Sequence, residues 1–295
     1  MSFVTKILRH GLNCGWFDSF SDEAYIKLKY RTFLNKKPNL RAPVSFNEKL
    51  QWLKLHDRKE IYSSLVDKAS VKELVGAQIG EEYIIPTLGV WNDVDGIDLE
   101  SLPDKFVLKA THDSGGIVIC KDKASLDWEA AKDKLRKSLS RDYYLKSREW
   151  PYKNVQRRIM AEQYMETVGE DGLNDYKFFC FNGNVEMVLV CKNRFSDTGL
   201  TEDFFSKKWE HLDIRRPHHP NSTDAIPKPE QLDLMLELSE RLAGDISFVR
   251  VDFYEINLRV YFGEMTFFPA SGFEGFEPEG VDEMLGDKLV LTMDE

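Results

Sequence analysis

The chain has 295 residues, is 42% hydrophobic and 31% charged, and carries a net charge of −10. That is more length than one typical domain of about 100–200 residues and enough apolar material for a packed core with clefts. The negative sign argues against a polyanionic partner, so no nucleic acid is expected. No stretch reaches the roughly 20 apolar residues that cross a bilayer, and the first ten residues lack the unbroken apolar core of a secretory signal. The four cysteines, Cys14, Cys120, Cys180 and Cys191, form no C-x-x-C pair, and three of them lie in apolar runs, which fits a reducing, cytoplasmic setting.

The chain opens on a short amphipathic stretch, Phe3, Val4, Ile7 and Leu8 with Lys6 and Arg9. Packing on the body is the ordinary role of such a stretch, and peripheral contact with a membrane surface is the other. Residues up to about 66 read as helical. Ser45 followed by Glu48 is a capping box opening a helix with Phe46, Leu50 and Leu53 on one face. A second helix with Ile61, Leu65 and Val66 runs toward Asp67-Lys68, and Gly76 reads as a helix stop. Short strand-like runs follow at Tyr83 to Pro86, Leu88 to Trp91 and Phe106 to Leu108. Ser125 to Ser140 predicts a helix with a narrow stripe of Ala131, Leu135 and Leu139. Tyr176 to Phe181, Asn182-Gly183 and Val185 to Cys191 predict a hairpin, because Asn-Gly tolerates the positive φ of a tight turn. A helix over Pro229 to Ala243, stopped by Gly244, leads to two last strands, Ile246 to Tyr254 and Val260 to Phe267.

Those last strands carry the most chemistry. A hairpin turning around Leu258 opposes Asp252 with Glu264 and Arg250 with Thr266, placing two carboxylates on one face with Cβ atoms about 5 Å apart. Opposed like charges destabilise a sheet, so a cation between them is one explanation, and magnesium held by two carboxylates and phosphate oxygens fits. A solvated face with scattered charges is the other, since a one-residue slip in register would break the pairing. Lys109 ends a strand and is followed by Thr111-His112-Asp113-Ser114-Gly115-Gly116. This reads either as a mobile loop whose backbone N–H groups fold over phosphates or as a plain turn beside a snorkelling lysine. Ile159 to Met165 is a strand end that can offer backbone groups to an adenine edge, or an ordinary edge strand. Asp93-Val94-Asp95 spells the D-x-D of metal-dependent sugar-nucleotide binding, but Asn92 and Gly96 around it make a polar turn the better reading. The His218-His219 pair sits among prolines as a solvated loop rather than a zinc site.

Taken in order, SFNEKLQWLKLHD (Ser45 to Asp57), Asp67-Lys68 with Ile84 to Val90, KFVLKATHDSGG (Lys105 to Gly116), DYKFFCFNG (Asp175 to Gly183), FVRVDFY (Phe248 to Tyr254) and GEMTFFPASGF (Gly263 to Phe273) resemble the ATP-grasp superfamily. The resemblance is closer to its TupA-like branch, found in polysaccharide biosynthesis. It implies an α+β chain with the ATP-grasp fold: a helical N-terminal region (1–66), a small lobe with a glycine flap (67–165) and a large lobe with metal-binding carboxylates (166–295), the two α/β lobes gripping ATP between antiparallel sheets. ATP and Mg2+ are the implied cofactors.

By the same resemblance Lys68 and Lys109 reach the nucleotide phosphates, and Ser114, Gly115 and Gly116 lie in the loop that closes over them. Glu162, Gln163, Tyr164 and Met165 look like the adenine hinge, Asp175 like the ribose partner, and Lys177 faces the nucleotide from the same strand face. Asp252 and Glu264 are similar to the family's magnesium carboxylates, and Arg250 resembles the arginine aimed at an acyl phosphate, so Arg250 and Lys109 are the expected catalytic residues. Arg194, Ser271 and Gly272 are expected to bind the acceptor. The sequence departs from the family where many members carry an asparagine two residues after the second metal glutamate; Thr266 stands there, a poorer ligand for a second magnesium. The implied activity is an ATP-dependent carboxylate–amine ligase acting on a uronic acid of a surface polysaccharide or its precursor and an amino acid or small amine. A sugar-nucleotide-dependent glycosyltransferase and an inactive nucleotide-binding scaffold are the alternatives.

Overall fold

The computed structural model describes residues 2–113, 115–166, 173–193 and 199–292. The chain divides into two compact units, one formed by Met1–Arg58, Leu145–Trp150 and Thr167–Glu295, the other by Lys59–Tyr144 and Pro151–Glu166. The helices are α1 (Phe3–Cys14), α2 (Asp22–Leu34), α3 (Phe46–His56), α4 (Ile61–Val66), α5 (Ser70–Ile79), α6 (Trp128–Leu139), α7 (Tyr143–Ser147), α8 (Leu232–Ala243) and α9 (Val281–Lys288). The strands are β1 (Thr87–Trp91), β2 (Phe106–Ala110), β3 (Ile117–Cys120), β4 (Ile159–Gln163), β5 (Asp175–Phe181), β6 (Asn184–Lys192), β7 (Thr201–Phe205), β8 (Phe248–Ile256) and β9 (Arg259–Thr266).

The smaller unit is built on an antiparallel sheet of order β1-β4-β2-β3. Alternation along β2 buries Phe106, Leu108 and Ala110 on one face, where they join Val118, Cys120, Ile159 and Ala161 against Ala131 and Leu135 of α6. Lys109 and Glu162 fall on the opposite face by the same alternation. Three local readings are corrected here. Gly76 does not stop a helix: α5 runs through it to Ile79 and ends at Gly80, because Gly76 lies buried. Tyr83 to Pro86 is not a strand but a 3-10 turn, Glu81–Tyr83, followed by an extended link into β1, as Pro86 lacks the N–H a ladder requires. Nor is β4 an edge strand: it pairs with β1 on one side and β2 on the other.

The larger unit holds an antiparallel sheet of order β7-β6-β5-β8-β9. Every residue of β5 is buried. One of its faces packs on α8, where the Cys180 thiol meets the Ser239 carbonyl. The other face has a divided character: an aromatic end, where Phe181 and Phe248 surround Phe46 of α3, and a charged end. The predicted capping box of α3 is present, Ser45 Oγ accepting from the Glu48 N–H at 3.4 Å and Glu48 Oε2 from the Ser45 N–H at 3.3 Å. The Asn-Gly hairpin is also present, with Asn182 at φ 47° and Gly183 at φ 83° between Phe181 and Asn184.

Candidate functional site

The charged end of the larger sheet is written by strand alternation. On β8, Val249, Val251 and Phe253 alternate with Arg250 and Asp252; on β5, Asp175 and Lys177 share one face. Lys177 is the direct neighbour of Asp252 on one side and Glu264 is its neighbour on the other, with Arg250 opposite Thr266. The register that places the two carboxylates opposite one another is thus the one the sequence led us to expect, although it arises differently. The turn has two residues, Asn257 (φ 50°) and Leu258 (φ 64°), joining Ile256 to Arg259, and the ladder then slips by one between Asp252 and Phe253. This bulge falls at Gly263, where a Cβ would stand 3.1 Å from the Asp252 carbonyl oxygen.

Between the two carboxylates lies a guanidinium. Arg250 folds back along its own strand, donating from Nε to Asp252 Oδ1 and from Nη2 to Asp252 Oδ2, both at 2.6 Å. The same Nη2 reaches Glu264 Oε1 at 2.9 Å and Thr266 Oγ1 at 3.0 Å. Lys177 donates to Asp252 Oδ2 and stands 3.4 Å from Asp175, whose carboxylate also accepts from the Tyr254 hydroxyl. Burial pushes the Asp252 carboxyl up, against the pull of Arg250 and Lys177. At Lys177, burial is outweighed by Asp175 and Asp252, which hold the ammonium protonated. Three carboxylates and two cations leave one net negative charge, so the cluster accepts a further cation more readily than an anion. Asp252 and Glu264 supply the hard oxygen donors that magnesium takes one or two at a time. Glu264 is the accessible one, its side chain 43% exposed against 2% for Asp252. The donor set fits Mg2+, and Thr266 Oγ1, engaged by Arg250 and Glu264, adds only a hydroxyl. No group of three or more His, Cys, Asp or Glu that could hold a metal occurs among the described residues.

In the same unit Ser271 and Gly272 follow β9 in the chain, in a 3-10 turn where Ala270, Ser271 and Gly272 all have positive φ, 47°, 56° and 62°. Helix α3 holds it: Gln51 Nε2 donates to both the Ser271 and Gly272 carbonyls, and Lys54 Nζ to the Ser271 carbonyl at 2.8 Å and hydroxyl at 3.0 Å. Arg194 lies outside the described residues.

In the smaller unit, Lys109 at the end of β2 pairs with Glu162 on β4. Glu162 is also met by Lys72 of α5 at 2.6 Å, a partner that sequence reasoning missed although the spacing of Val71 and Val75 puts this flank of α5 inward. Burial alone raises the Glu162 carboxyl, but Lys109 and Lys72 more than reverse it and hold it below its ordinary value. The Glu162 side chain is therefore turned to lysines, and its backbone is in the ladder. The ladder ends at Gln163, so Tyr164 and Met165 lie beyond it. Lys68 Nζ donates to the Asp113 carbonyl at 2.7 Å, which ties it to the glycine-containing loop after β2.

Asp113 builds that loop. It accepts from the Gly116 N–H at 3.3 Å and from the Ser138 hydroxyl, and Thr111 beside it is fully buried. A Cβ on Gly115 (φ 108°) would meet nothing within 4 Å, whereas a Cβ on Gly116 would stand 2.1 Å from Ser138 Oγ. Ser114 lies outside the described residues. Gly116→Ala is expected to cost about 1–3 kcal/mol by overpacking, read as a lower denaturation midpoint with unchanged slope. Gly115→Ala adds only the strain of a positive φ, about 1–2 kcal/mol. Equal stability of Gly116→Ala and the parent chain would show that the Ser138 side chain yields to the added methyl without cost. The D-x-D tripeptide is a turn: Asp93 Oδ1 accepts from the Asp95 and Gly96 N–H groups at 2.9 Å, Val94 is buried, and Asp95 pairs with Arg136 at 2.6 Å.

A family model for TupA-like ATPgrasp proteins matches residues 48–290; the chain belongs to the TupA-like ATP-grasp family and has an α+β ATP-grasp fold. Solved structures similar to it include D-alanine–D-alanine ligase from Bacillus anthracis complexed with ATP, at 14% identity and TM-score 0.38 over 68% of this chain and 53% of that one. Another is the Helicobacter pylori D-alanine–D-alanine ligase, at 17% identity and TM-score 0.40 over 77% of this chain and 63% of that one. A third is the ATP-grasp ligase PsnB complexed with a phosphomimetic variant of its minimal precursor, Mg and ADP, at 10% identity and TM-score 0.41 over 75% of this chain and 57% of that one. The chain thus spans less than two thirds of the length of each of these proteins. No curated protein matches it.

Proposed function

We propose that the chain is an ATP- and Mg2+-dependent carboxylate–amine ligase that works through an acyl phosphate. The observation that carries this reading is the opposed pair Asp252 and Glu264 with Arg250 between them, in a chain whose family is ATP-grasp. A carboxylate oxygen of the substrate attacks the γ-phosphorus of ATP and ADP leaves; an amine then attacks the acyl carbon, loses a proton and expels phosphate. A divalent cation on Asp252 and Glu264 supplies neutralisation of phosphoryl charge. Arg250 offers a fixed guanidinium to the oxyanion that develops at the acyl carbon. Lys177 and Asp175 are the large unit's nucleotide partners. In the smaller unit Lys109, with Lys68 and the loop at Gly115 and Gly116, attends to the phosphates, and Gln163, Tyr164 and Met165 to the adenine. Glu162 sets the position of the Lys109 ammonium. Ser271 and Gly272, held rigidly by Gln51 and Lys54, take the acceptor. The substrate pair is a uronic acid of a surface polysaccharide or its precursor and an amino acid or small amine, and the protein works in the cytoplasm.

The test is ADP and phosphate release with ATP and Mg2+ across a panel of uronic acids and amines, with the product weighed by mass spectrometry. ATP with Mg2+ is expected to raise Tm, since a ligand at 100 times its Kd stabilises by about 2.7 kcal/mol. Stabilisation by sugar nucleotides and none by ATP would replace this reading with a glycosyl transfer.

A further inference from the structure

The chain's charge is unevenly distributed. Residues 1–47 hold eight Lys and Arg against three Asp and Glu, a net charge of +5 in a chain of −10. Two of those three acids are already engaged, Asp22 with Arg58 at 2.8 Å and Arg148 at 3.5 Å, and Glu23 with Lys27. Within this segment α1 has Lys6, Arg9 and His10 and no acid at all. Charge asymmetry of this kind points to an anionic surface as partner, even where the whole protein is acidic.

The second observation is geometric. A surface helix normally turns its apolar stripe to the core, as α8 does with Leu232, Met235, Leu238 and Leu242. Helix α1 buries only Gly11 and Leu12 and leaves Phe3 77%, Val4 63% and Ile7 43% exposed. At 100° per residue these three fall within one arc, and Gly11 belongs to the same arc. The Trp16 ring covers that glycine: a Cβ on Gly11 would stand 2.7 Å from it. Trp16 itself is 60% exposed and Phe20 43%, and the tryptophan is fixed edge-on to His10 with ring centroids 5.6 Å apart. The helix is capped at both ends, by Ser2 and by Gly15 in the left-handed conformation.

We propose that the exposed face of α1, continued by Trp16 and Phe20, docks on an anionic lipid bilayer. Apolar side chains would enter the headgroup boundary, Trp16 would sit at the interface where its ring is favoured, and Lys6 and His10 on the flank of the arc would meet lipid phosphates. The reading is independent of the ligase proposal.

The test uses the full chain with vesicles of phosphatidylcholine alone and of phosphatidylcholine with phosphatidylglycerol at 3:1, by co-sedimentation at low and high salt. Binding is expected to the anionic vesicles, to weaken with salt, and to fall at least tenfold in an Ile7→Ser/Trp16→Ser variant. Lys6→Glu, which changes charge on an exposed position, is expected to weaken it roughly five-fold or more. An unchanged Tm in each variant separates loss of docking from loss of fold. Equal binding to both vesicle types, no binding to either, or a dimer in sedimentation velocity that the double variant abolishes would each overturn the proposal, the last in favour of a second copy of this chain as the occupant.

Discussion

Glu264→Gln is expected to lower kcat for ADP release by about a thousandfold, equivalent to about 4 kcal/mol of transition-state stabilisation, while leaving Tm within about 2 °C of the parent. The reasoning turns on its exposure. With a side chain 43% exposed, Glu264 accepts one bond from Arg250 and one from Thr266, which the amide oxygen of glutamine can still accept. A partly exposed ion pair of this sort contributes only about 0–1 kcal/mol to stability. Asp252→Asn should be equally inactive but for two reasons at once. Its carboxylate is buried and accepts from Nε and Nη2 of Arg250 and from the Lys177 ammonium, so removing the charge leaves Arg250 with Glu264 and Lys177 with Asp175 as their remaining counter-charges, at a cost of up to about 3–5 kcal/mol. Inactivity of Asp252→Asn alone therefore says little about catalysis. Normal turnover by Glu264→Gln at saturating Mg2+, with Tm preserved, would remove the cation from this pair and with it the proposed chemistry.

The opposition of Asp252 and Glu264 was legible because alternation and a short turn are local rules, yet the turn and the bulge are both needed to produce it. The two-residue turn alone would set Asp252 against Gly263; the slip at Gly263 restores Glu264. A glycine inside a strand is the recognised sign of such a bulge, but whether it forms depends on what the strand must present, which no local pattern states. Like charges facing each other allowed two readings, a cation such as magnesium between the carboxylates or a solvated face. That the Arg250 guanidinium lies between them depends on a side chain lying along its own strand, which strand pairing does not specify. Lys72 and Lys54 were missed for a common reason. A lysine in an amphipathic helix reads as solvated, and only the tertiary placement of Glu162 or Glu149 turns it inward.

Lys54→Met is expected to lower stability by about 3–5 kcal/mol, a drop in Tm on the order of 10 °C for a chain of this size, and to raise KM for the acceptor in the proposed reaction. Lys54 is fully buried and Glu149 nearly so. Burial pushes the lysine's pKa well down and the glutamate's up, each opposing charge only partly compensating. What offsets that burial is the set of carbonyls around the ammonium: Ser147 at 2.9 Å and Ser271 at 2.8 Å, with the ring of Phe273 4.3 Å away. Those bonds hold a turn in which Ala270 and Ser271, neither a glycine, keep positive φ, a conformation costing roughly 1–2 kcal/mol per residue. Methionine fills the volume but leaves Glu149 buried without its counter-charge and frees the turn to relax. Adding Glu149→Gln removes the stranded charge, so the double variant should regain much of the lost Tm while the KM effect persists, because Ser271 keeps Gln51 but still lacks the Lys54 donor to its carbonyl and hydroxyl. A double variant that restores both Tm and KM would show that Lys54 only balances Glu149 and takes no part in shaping the turn.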